Sequence, residues 1–100
     1  MGFRVVWAPS ARLDLKLVSQ RIAEHNPEGA QRLVVSILDA SKRLAEYPNS
    51  GRVVPEFGWE TLREIIVGPY RLIYSIRRDR ETVEVVRLWH GARGHPLIAP

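Results

Sequence analysis

Arginines on neighbouring apolar segments, followed by a histidine, are the residues of this chain whose types and spacing could do chemistry. Arg63 and Arg71 lie on two adjacent predicted strands, Arg87 lies on the last one, and His90 and Arg93 follow closely. Because adjacent strands are about 5 Å apart, guanidinium groups on one face of a sheet can converge on a single phosphate. The sequence therefore predicts an anion site built from strand arginines with an imidazole at its edge.

Each of these residues also has a structural interpretation. Arginine is common at exposed strand positions, where it keeps a sheet face wet and its edges unpaired. The His90 imidazole could act as general acid or base in RNA cleavage by 2′-hydroxyl attack, or it could donate a hydrogen bond that pins the last strand. The flanking Leu88 and Trp89 favour the structural role because they indicate partial burial. Tyr70 and Tyr74 are interpreted as core or rim aromatics rather than catalytic phenols.

Other site chemistries lack the residues that they need. The chain has no Cys, which excludes disulfides and thiolate metal sites, and its three His residues share no helical spacing with another ligand. The serines have no flanking glycines of a nucleophile elbow, and the glycines are scattered over turns instead of forming a phosphate-binding loop. We therefore predict neither a metal nor a cofactor.

The composition predicts one small domain, residues 1–100, with a packed core, because 45% of the residues are hydrophobic and 26% are charged. The net charge of +4 would attract polyanions such as RNA, or an acidic protein partner. Only Lys16 and Lys42 of the basic residues are lysines, which suits recognition of phosphate or carboxylate but is equally explained by Arg-rich codon usage. The apolar runs are too short for a signal peptide or a membrane span, so we predict a cytoplasmic protein.

The elements that must position these residues begin with a strand over residues 3–7 and two helices. Pro9 opens the first helix, predicted over residues 9–24, where Leu13 and Leu17 lie off the apolar stripe. Asn26 followed by Pro27 is a strong start signal for the second helix, whose apolar pattern continues to residue 45. So short a link makes the helices an antiparallel hairpin packed on a sheet.

After the helices the pattern changes to strands at residues 62–67, 70–77 and 83–89, with a further short segment at 52–56. Gly68-Pro69 and residues 78–80 are the turns of an antiparallel meander. We predict an α+β fold of order β-α-α-β-β-β with one sheet. The first strand is expected to lie antiparallel beside the last, followed by the 70–77 and 62–67 strands, with 52–56 at the edge.

Taken together, four segments of the chain resemble the RelE/ParE toxin superfamily. They are Trp7-Ala8-Pro9 with Ala11 and Asp14-Leu15; Arg43-Leu44 with Tyr47-Pro48-Asn49-Ser50-Gly51-Arg52; Leu62-Arg63-Glu64 through Val67-Gly68-Pro69-Tyr70-Arg71-Leu72-Ile73-Tyr74; and Val86-Arg87-Leu88-Trp89-His90-Gly91-Ala92-Arg93. Each segment is weak alone, but their order and spacing are specific. The resemblance implies the toxin of a bacterial type II toxin-antitoxin pair, which inhibits growth until a cognate antitoxin wraps it.

The resemblance implies two classes of target. RelE-like members cleave mRNA in the ribosomal A site, which would make this chain an RNA-binding mRNA interferase with Arg63, Arg71, His90 and Arg93 as catalytic residues. ParE-like members inhibit DNA gyrase without a nuclease site. This chain has no Lys after Lys42 and no terminal Tyr, so two versions of the nuclease are not reproduced.

We favour the endoribonuclease and keep the gyrase inhibitor as the alternative, which leaves open whether the chain is an enzyme. A homologue that has lost its toxicity is a third interpretation. The antitoxin is expected to bury the region of Arg63, Arg71 and His90, or the groove beside the first helix.

Overall fold

The computed structural model describes residues 2–98, so Met1, Ala99 and Pro100 of the predicted domain lie outside the described residues. The elements are β1 (Arg4–Trp7), α1 (Pro9–Ala23), α2 (Pro27–Arg43), β2 (Arg52–Val53), β3 (Leu62–Val67), β4 (Tyr70–Arg77) and β5 (Thr82–His90). Within the described residues the strands form one mixed sheet of order β1-β5-β4-β3-β2. The predicted α+β class and strand order are confirmed, and the 52–56 segment contributes only its first two residues as a strand.

The two helices begin where the sequence predicts but are capped differently. Pro9 opens α1 after Ala8, which provides no side-chain cap. Asn26 caps α2, because its side-chain oxygen accepts a hydrogen bond from the amide of Gly29 at 3.0 Å. That bond satisfies one of the amides that a helix N-terminus leaves without a partner. Leu13 and Leu17 are 54% and 51% exposed, as their positions off the apolar stripe predict.

The prediction that the first strand runs antiparallel to the last is wrong, since β1 pairs with β5 in parallel, with Val5 beside Val83. The amide of Phe3 donates to the carbonyl of Ala45 at 2.7 Å, so α2 returns the chain to the end of the sheet where β1 starts. The meander of β3, β4 and β5 begins at that end of the sheet: β3 runs away from it, β4 returns to it, and β5 runs away from it again. Its third strand therefore has the direction of β1.

The sheet separates two apolar clusters. The larger one lies between the sheet and the helices, and the smaller one lies on the opposite face, which we call the outer face. The helix-side cluster contains Ala11, Ile37, Ala40, Leu44, Leu72, Tyr74, Ile76, Val83, Val85 and Leu88. The outer cluster contains Val54, Leu62, Ile73 and Trp89, with Phe57, Val86 and Ile98 packed against it. Side chains alternate between the faces along each strand, except on β5, where a register shift between the Ile73–Arg87 and Tyr74–Val85 pairs breaks the alternation.

Two glycines, Gly51 and Gly68, lie at positions next to the sheet where a side chain would clash or would strain the backbone. Gly68 adopts a positive φ of 58° in the turn between β3 and β4, and the following Pro69 accepts a hydrogen bond from the amide of Gly91 at 2.9 Å. Gly51 lies against the sheet, where a Cβ would come within 2.6 Å of the Tyr74 hydroxyl and of the Glu64 carbonyl oxygen. No helix in residues 2–98 is long and apolar enough to span a membrane.

Candidate functional site

Arg63 and Arg71 lie on opposite faces of the sheet, so the prediction that they converge on one phosphate is wrong. Arg63 pairs with Tyr74, whose side chain belongs to the helix-side cluster. Arg71 lies three residues before Tyr74 on β4 and pairs with Trp89 of the outer cluster. Because successive side chains of a strand point to opposite faces, an odd spacing separates the two guanidinium groups by the sheet itself.

Arg71 is buried in a network of carboxylates on the outer face. Its Nε donates to Glu64 Oε1 at 2.6 Å, and its two terminal nitrogens donate to Glu56 at 2.8 and 2.6 Å. Arg52 donates to the other Glu64 oxygen at 2.6 Å. Two arginines and two glutamates therefore balance each other in charge.

The network moves the pKa of both partners at its centre. The hydrogen bonds from Arg71 lower the pKa of Glu56 from 4.5 to about 2, against the opposing effect of its burial. The pKa of Arg71 is raised by its hydrogen bonds to Glu56 and, next, to Glu64. Both groups are therefore held in their charged forms by each other, as in other charge-assisted bidentate pairs. A phosphate at Arg71 would have to displace Glu56.

Arg63 holds the connection between α2 and β2 in place. Its Nε donates to the carbonyl of Glu60 at 2.9 Å, and Nη1 donates to the carbonyl of Gly51 at 3.0 Å. The Tyr74 hydroxyl reaches the same loop, donating to the carbonyl of Pro48 at 2.8 Å and accepting from the amide of Gly51 at 2.9 Å. Burial raises the pKa of Tyr74, so the phenol remains protonated. Arg63 and Tyr74 thus act on loop structure in this conformation.

His90 and Arg93 are the two predicted site residues that the structure brings together. Both line a cleft of about 360 Å³ between α1 and the end of β5, together with Asp14, Leu17, Val18, Arg21, Tyr70 and Leu88. His90 Nδ1 accepts a hydrogen bond from the amide of Ala92 at 3.0 Å, and its ring meets Tyr70 edge-on at 5.2 Å. The guanidinium of Arg93 stacks over Trp89 at 4.0 Å. We call this space the His90 cleft.

Asp14 ties α1 to β5 behind this cleft. Its carboxylate accepts hydrogen bonds from Arg87 Nε at 2.7 Å and Nη2 at 2.9 Å, and from the amide of Leu88 at 3.0 Å. The hydrogen bonds to Asp14 raise the pKa of Arg87. Arg87 is therefore neutralised by a carboxylate, as Arg71 is. Asp14 also satisfies a backbone amide at a strand edge that β1 is too short to reach.

Sequence reasoning assigned no role to Asp14, Glu56 or Glu64. The sequence carries a signal for Glu64, because it alternates with Leu62 and Ile66. This spacing places a carboxylate on the same face of the strand as two apolar residues. Glu56 and Asp14 carry no such pattern, because their arginine partners lie far along the chain. Within residues 2–98, no three His, Cys, Asp or Glu side chains lie close enough together to hold a metal ion.

The comparisons with known proteins agree with this architecture. The family model described as "ParE toxin of type II toxin-antitoxin system, parDE" matches residues 5–94. The chain is 36% identical over 91 residues to Toxin RelE2 of Caulobacter vibrioides, covering 90% of this chain and 97% of that protein.

Two solved structures share the fold. One is described as the chromosomal ParDE toxin-antitoxin system from P. aeruginosa, with a TM-score of 0.72 and 19% identity over 88% of this chain and 95% of that one. The other is the toxin-antitoxin complex RelBE2 from Mycobacterium tuberculosis, with a TM-score of 0.65 and 22% identity over 90% and 99% of the two chains. The family match extends over most of the sequence. The chain therefore belongs to the ParE toxin family within the RelE/ParE superfamily and is the toxin of a type II toxin-antitoxin system.

Proposed function

We propose that this toxin stops growth by binding its target without cutting RNA, and that the target is DNA gyrase. The observation that carries the proposal is the neutralisation of Arg71 by Glu56 and Glu64. Stabilisation of a phosphorane-like transition state needs preorganised donors that face the developing charge. Here the donors of Arg71 face the carboxylates of Glu56 and Glu64. Arg71 is therefore not free to stabilise the charge of a phosphate.

The match to the ParE toxin family supports the same function, since the gyrase inhibitors are the ParE-like branch of the superfamily. A binding toxin needs no free strand arginine, because rigid surfaces are sufficient to trap a partner. The three strand arginines, Arg63, Arg71 and Arg87, are held by hydrogen bonds within the chain and would then be supports of that rigid surface.

Ribosome-dependent mRNA cleavage is the second candidate, and two observations favour it. The relative in C. vibrioides carries the name Toxin RelE2, and His90 lies beside the exposed Arg93 in one cleft. His90 would act as general acid or base through Nε2, with Arg93 on the phosphate. Arg63 and Arg71, predicted as catalytic, would contribute only after their present hydrogen bonds break.

Expression of the chain in cells without its antitoxin separates the two functions. The gyrase proposal expects a DNA-damage response and altered plasmid supercoiling before translation fails, and inhibition of supercoiling by purified gyrase in vitro. Toxicity should survive His90→Ala and Arg93→Gln, with Arg80→Gln as the matched surface control. Transcripts cut at defined codons, together with loss of cutting in His90→Ala, would replace the proposal with the nuclease.

The partner that restrains the toxin is proposed to be the antitoxin encoded by an adjacent reading frame. Charge supports this, since the net charge of +4 complements an acidic antitoxin segment. Both proposed targets place the action of the toxin in the cytoplasm. Co-expression with the adjacent frame should restore growth and yield a copurifying complex. Failure of that frame to neutralise the toxin would contradict this assignment.

A further inference from the structure

Residues 95–98 lie across the outer face of the sheet, and we call them the strap. The His95 ring meets Phe57 edge-on at 5.1 Å, Pro96 is fully buried, and Ile98 packs against the outer cluster. Three of the four strap side chains therefore close over the apolar residues of this face.

The backbone of the strap is not part of the sheet. In the described part of the chain, none of the backbone-to-backbone hydrogen bonds involves residues 95–98. Two side chains of β5 hold this segment instead. Arg87 Nη1 donates to the carbonyl of Leu97 at 2.9 Å, and Trp89 Nε1 donates to the carbonyl of Gly94 at 3.1 Å. Because segments without ladder bonds open at a lower free energy than strands, these contacts decide how tightly the strap closes.

Arg87 connects the strap to α1. Its Nε and Nη2 donate to the two oxygens of Asp14 at 2.7 and 2.9 Å, and its Nη1 donates to Leu97. The guanidinium is planar and rigid, so the bidentate contact with Asp14 fixes the direction of Nη1. A change at Asp14 is therefore transmitted to the strap through one side chain.

Gly94 is the residue about which the strap can turn. Its φ is +82°, a conformation that residues with a side chain rarely adopt, and its Cβ position has no neighbour within 4 Å. Rotation about either backbone torsion of Gly94 redirects its carbonyl. The hydrogen bond from the Trp89 indole therefore breaks when the strap lifts.

We propose that the strap is a conformational device, held closed over the outer cluster by Asp14 through Arg87. Opening would expose Ile73 and Trp89, which are 0% and 2% exposed in the closed state. The contact of Asp14 with Arg87 and the closure of the strap stabilise each other, because coupling between two sites is reciprocal. A cationic partner that takes the Asp14 carboxylate from Arg87 would thereby expose an apolar surface on the outer face. The proposal goes beyond the choice between gyrase and the ribosome and depends on neither.

Hydrogen exchange of the Trp89 indole N–H, followed by NMR on the purified chain, measures opening of the strap without a label. Asp14→Asn removes the charge, keeps one oxygen as an acceptor, and should speed this exchange about fivefold or more. Arg87→Lys should have the same effect, because an ammonium lacks the fork that spans both partners. Arg77→Lys is the matched control, since Arg77 pairs with Glu84 and not with the strap. It should change the rate less than about twofold.

The packed side chain of the strap is tested separately. Ile98→Ser removes the contact with the outer cluster while Asp14 and Arg87 stay paired, so it should also speed exchange of the Trp89 indole. Leu97→Ser changes the neighbouring residue, whose side chain is 66% exposed and takes no part in closure. This control should leave the exchange rate as it is in the wild type.

Exchange of the backbone amides of β4 is measured in the same samples, because it reports unfolding of the whole chain. We expect the indole of Trp89 to exchange faster while the β4 amides keep their rates. Equal indole exchange in the wild type and in Asp14→Asn would overturn the proposal, and so would an acceleration that the β4 amides share. Faster exchange in Ile98→Ser alone would show that Asp14 does not hold the strap. Arg87→Lys carries the same test if Asp14→Asn does not fold.

Discussion

Glu64 is the residue on which the charge network of the outer face depends. Its side chain is fully buried and lies between two arginines, with Nε of Arg52 and Nε of Arg71 both at 2.6 Å. A buried carboxylate loses its hydration, and only such close cations compensate for that loss. Glu64 therefore ties β2, β3 and β4 together through one side chain.

Replacing Glu64 with Ala should destabilise the fold by about 3–5 kcal/mol, because Arg71 would keep a buried charge with half of its compensation removed. Urea unfolding followed by circular dichroism measures this free energy. Glu60→Ala is the matched control, since Glu60 also pairs with two arginines, Arg63 and Arg78, but its side chain is 59% exposed. The control should lose less than about 1 kcal/mol, and equal losses would contradict the importance of burial.

Acid should weaken the fold through Glu56. Its pKa falls from 4.5 to about 2 on folding because of Arg71, so the pair contributes its full stability above pH 4.5. That contribution is lost as the pH falls from about 4.5 toward 2, since the unfolded chain binds the proton more readily. In Glu56→Gln the Tm should be lower at pH 7 and should decline less between pH 4.5 and 2. Parallel Tm curves for both proteins would refute this origin.

At the scale of elements, the start of α2 depends on the contact between Asn26 and Gly29. Asn26→Ala should cost about 1 kcal/mol, because the amide of Gly29 loses its acceptor. Gly29→Ala should also destabilise the fold, although Ala is the better helix former. A Cβ at Gly29 would lie 2.4 Å from the Asn26 side chain and would displace the cap. Thermal unfolding of both variants tests this, and a more stable Gly29→Ala protein would contradict it.

The edge of β5 beyond β1 is closed by α1 instead of by a strand. The amide of Ala8 donates to Val85, the hydroxyl of Ser10 donates to Val86, and Asp14 accepts from Leu88. Asp14→Ala should destabilise the fold by about 2 kcal/mol, since Arg87 and a strand amide lose their acceptor together. Hydrogen exchange should locate the loss at residues 86–90. Uniform protection across β5 in this variant would show that the edge is held by other contacts.

At the scale of the whole molecule, the distribution of charge predicts how a complex forms. The net charge is +4, and Arg71 and Arg87 on the sheet are paired with carboxylates. The excess is therefore on the surface, where it steers acidic partners and is screened by salt. The association rate with the antitoxin should fall as salt rises from about 50 to 500 mM, with a smaller change in dissociation. A rate independent of salt would exclude steering.

The same two-layer scaffold is shared with solved toxins at identities of 19% and 22%. At that distance the helix hairpin and the mixed sheet are kept while most side chains differ. The fold alone therefore does not distinguish a toxin of gyrase from a toxin of the ribosome, because the function depends on the side chains that the fold carries. In this chain Glu56 and Glu64 hold Arg71 in hydrogen bonds, and the proposed function is based on that contact.

The sequence by itself determined the elements and the family. Helical spacing, the Asn26-Pro27 start and the Gly68-Pro69 turn act within a few residues, so local physics was sufficient to place them. The strand order also followed, because short turns force neighbouring strands to pair. The direction of β1 was missed, since it depends on where two helices return the chain.

Only the tertiary structure decided which arginines are paired with carboxylates and which are not. Arg63 and Arg71 look equivalent in sequence, but an odd offset in strand register places them on opposite faces. Glu56, which shares Arg71 with Glu64, and Asp14, which pairs with Arg87, lie 15 and 73 residues from these arginines along the chain, beyond any local pattern. Electrostatic pairing depends on distance in space, whereas sequence reports distance along the chain, and only folding converts one into the other.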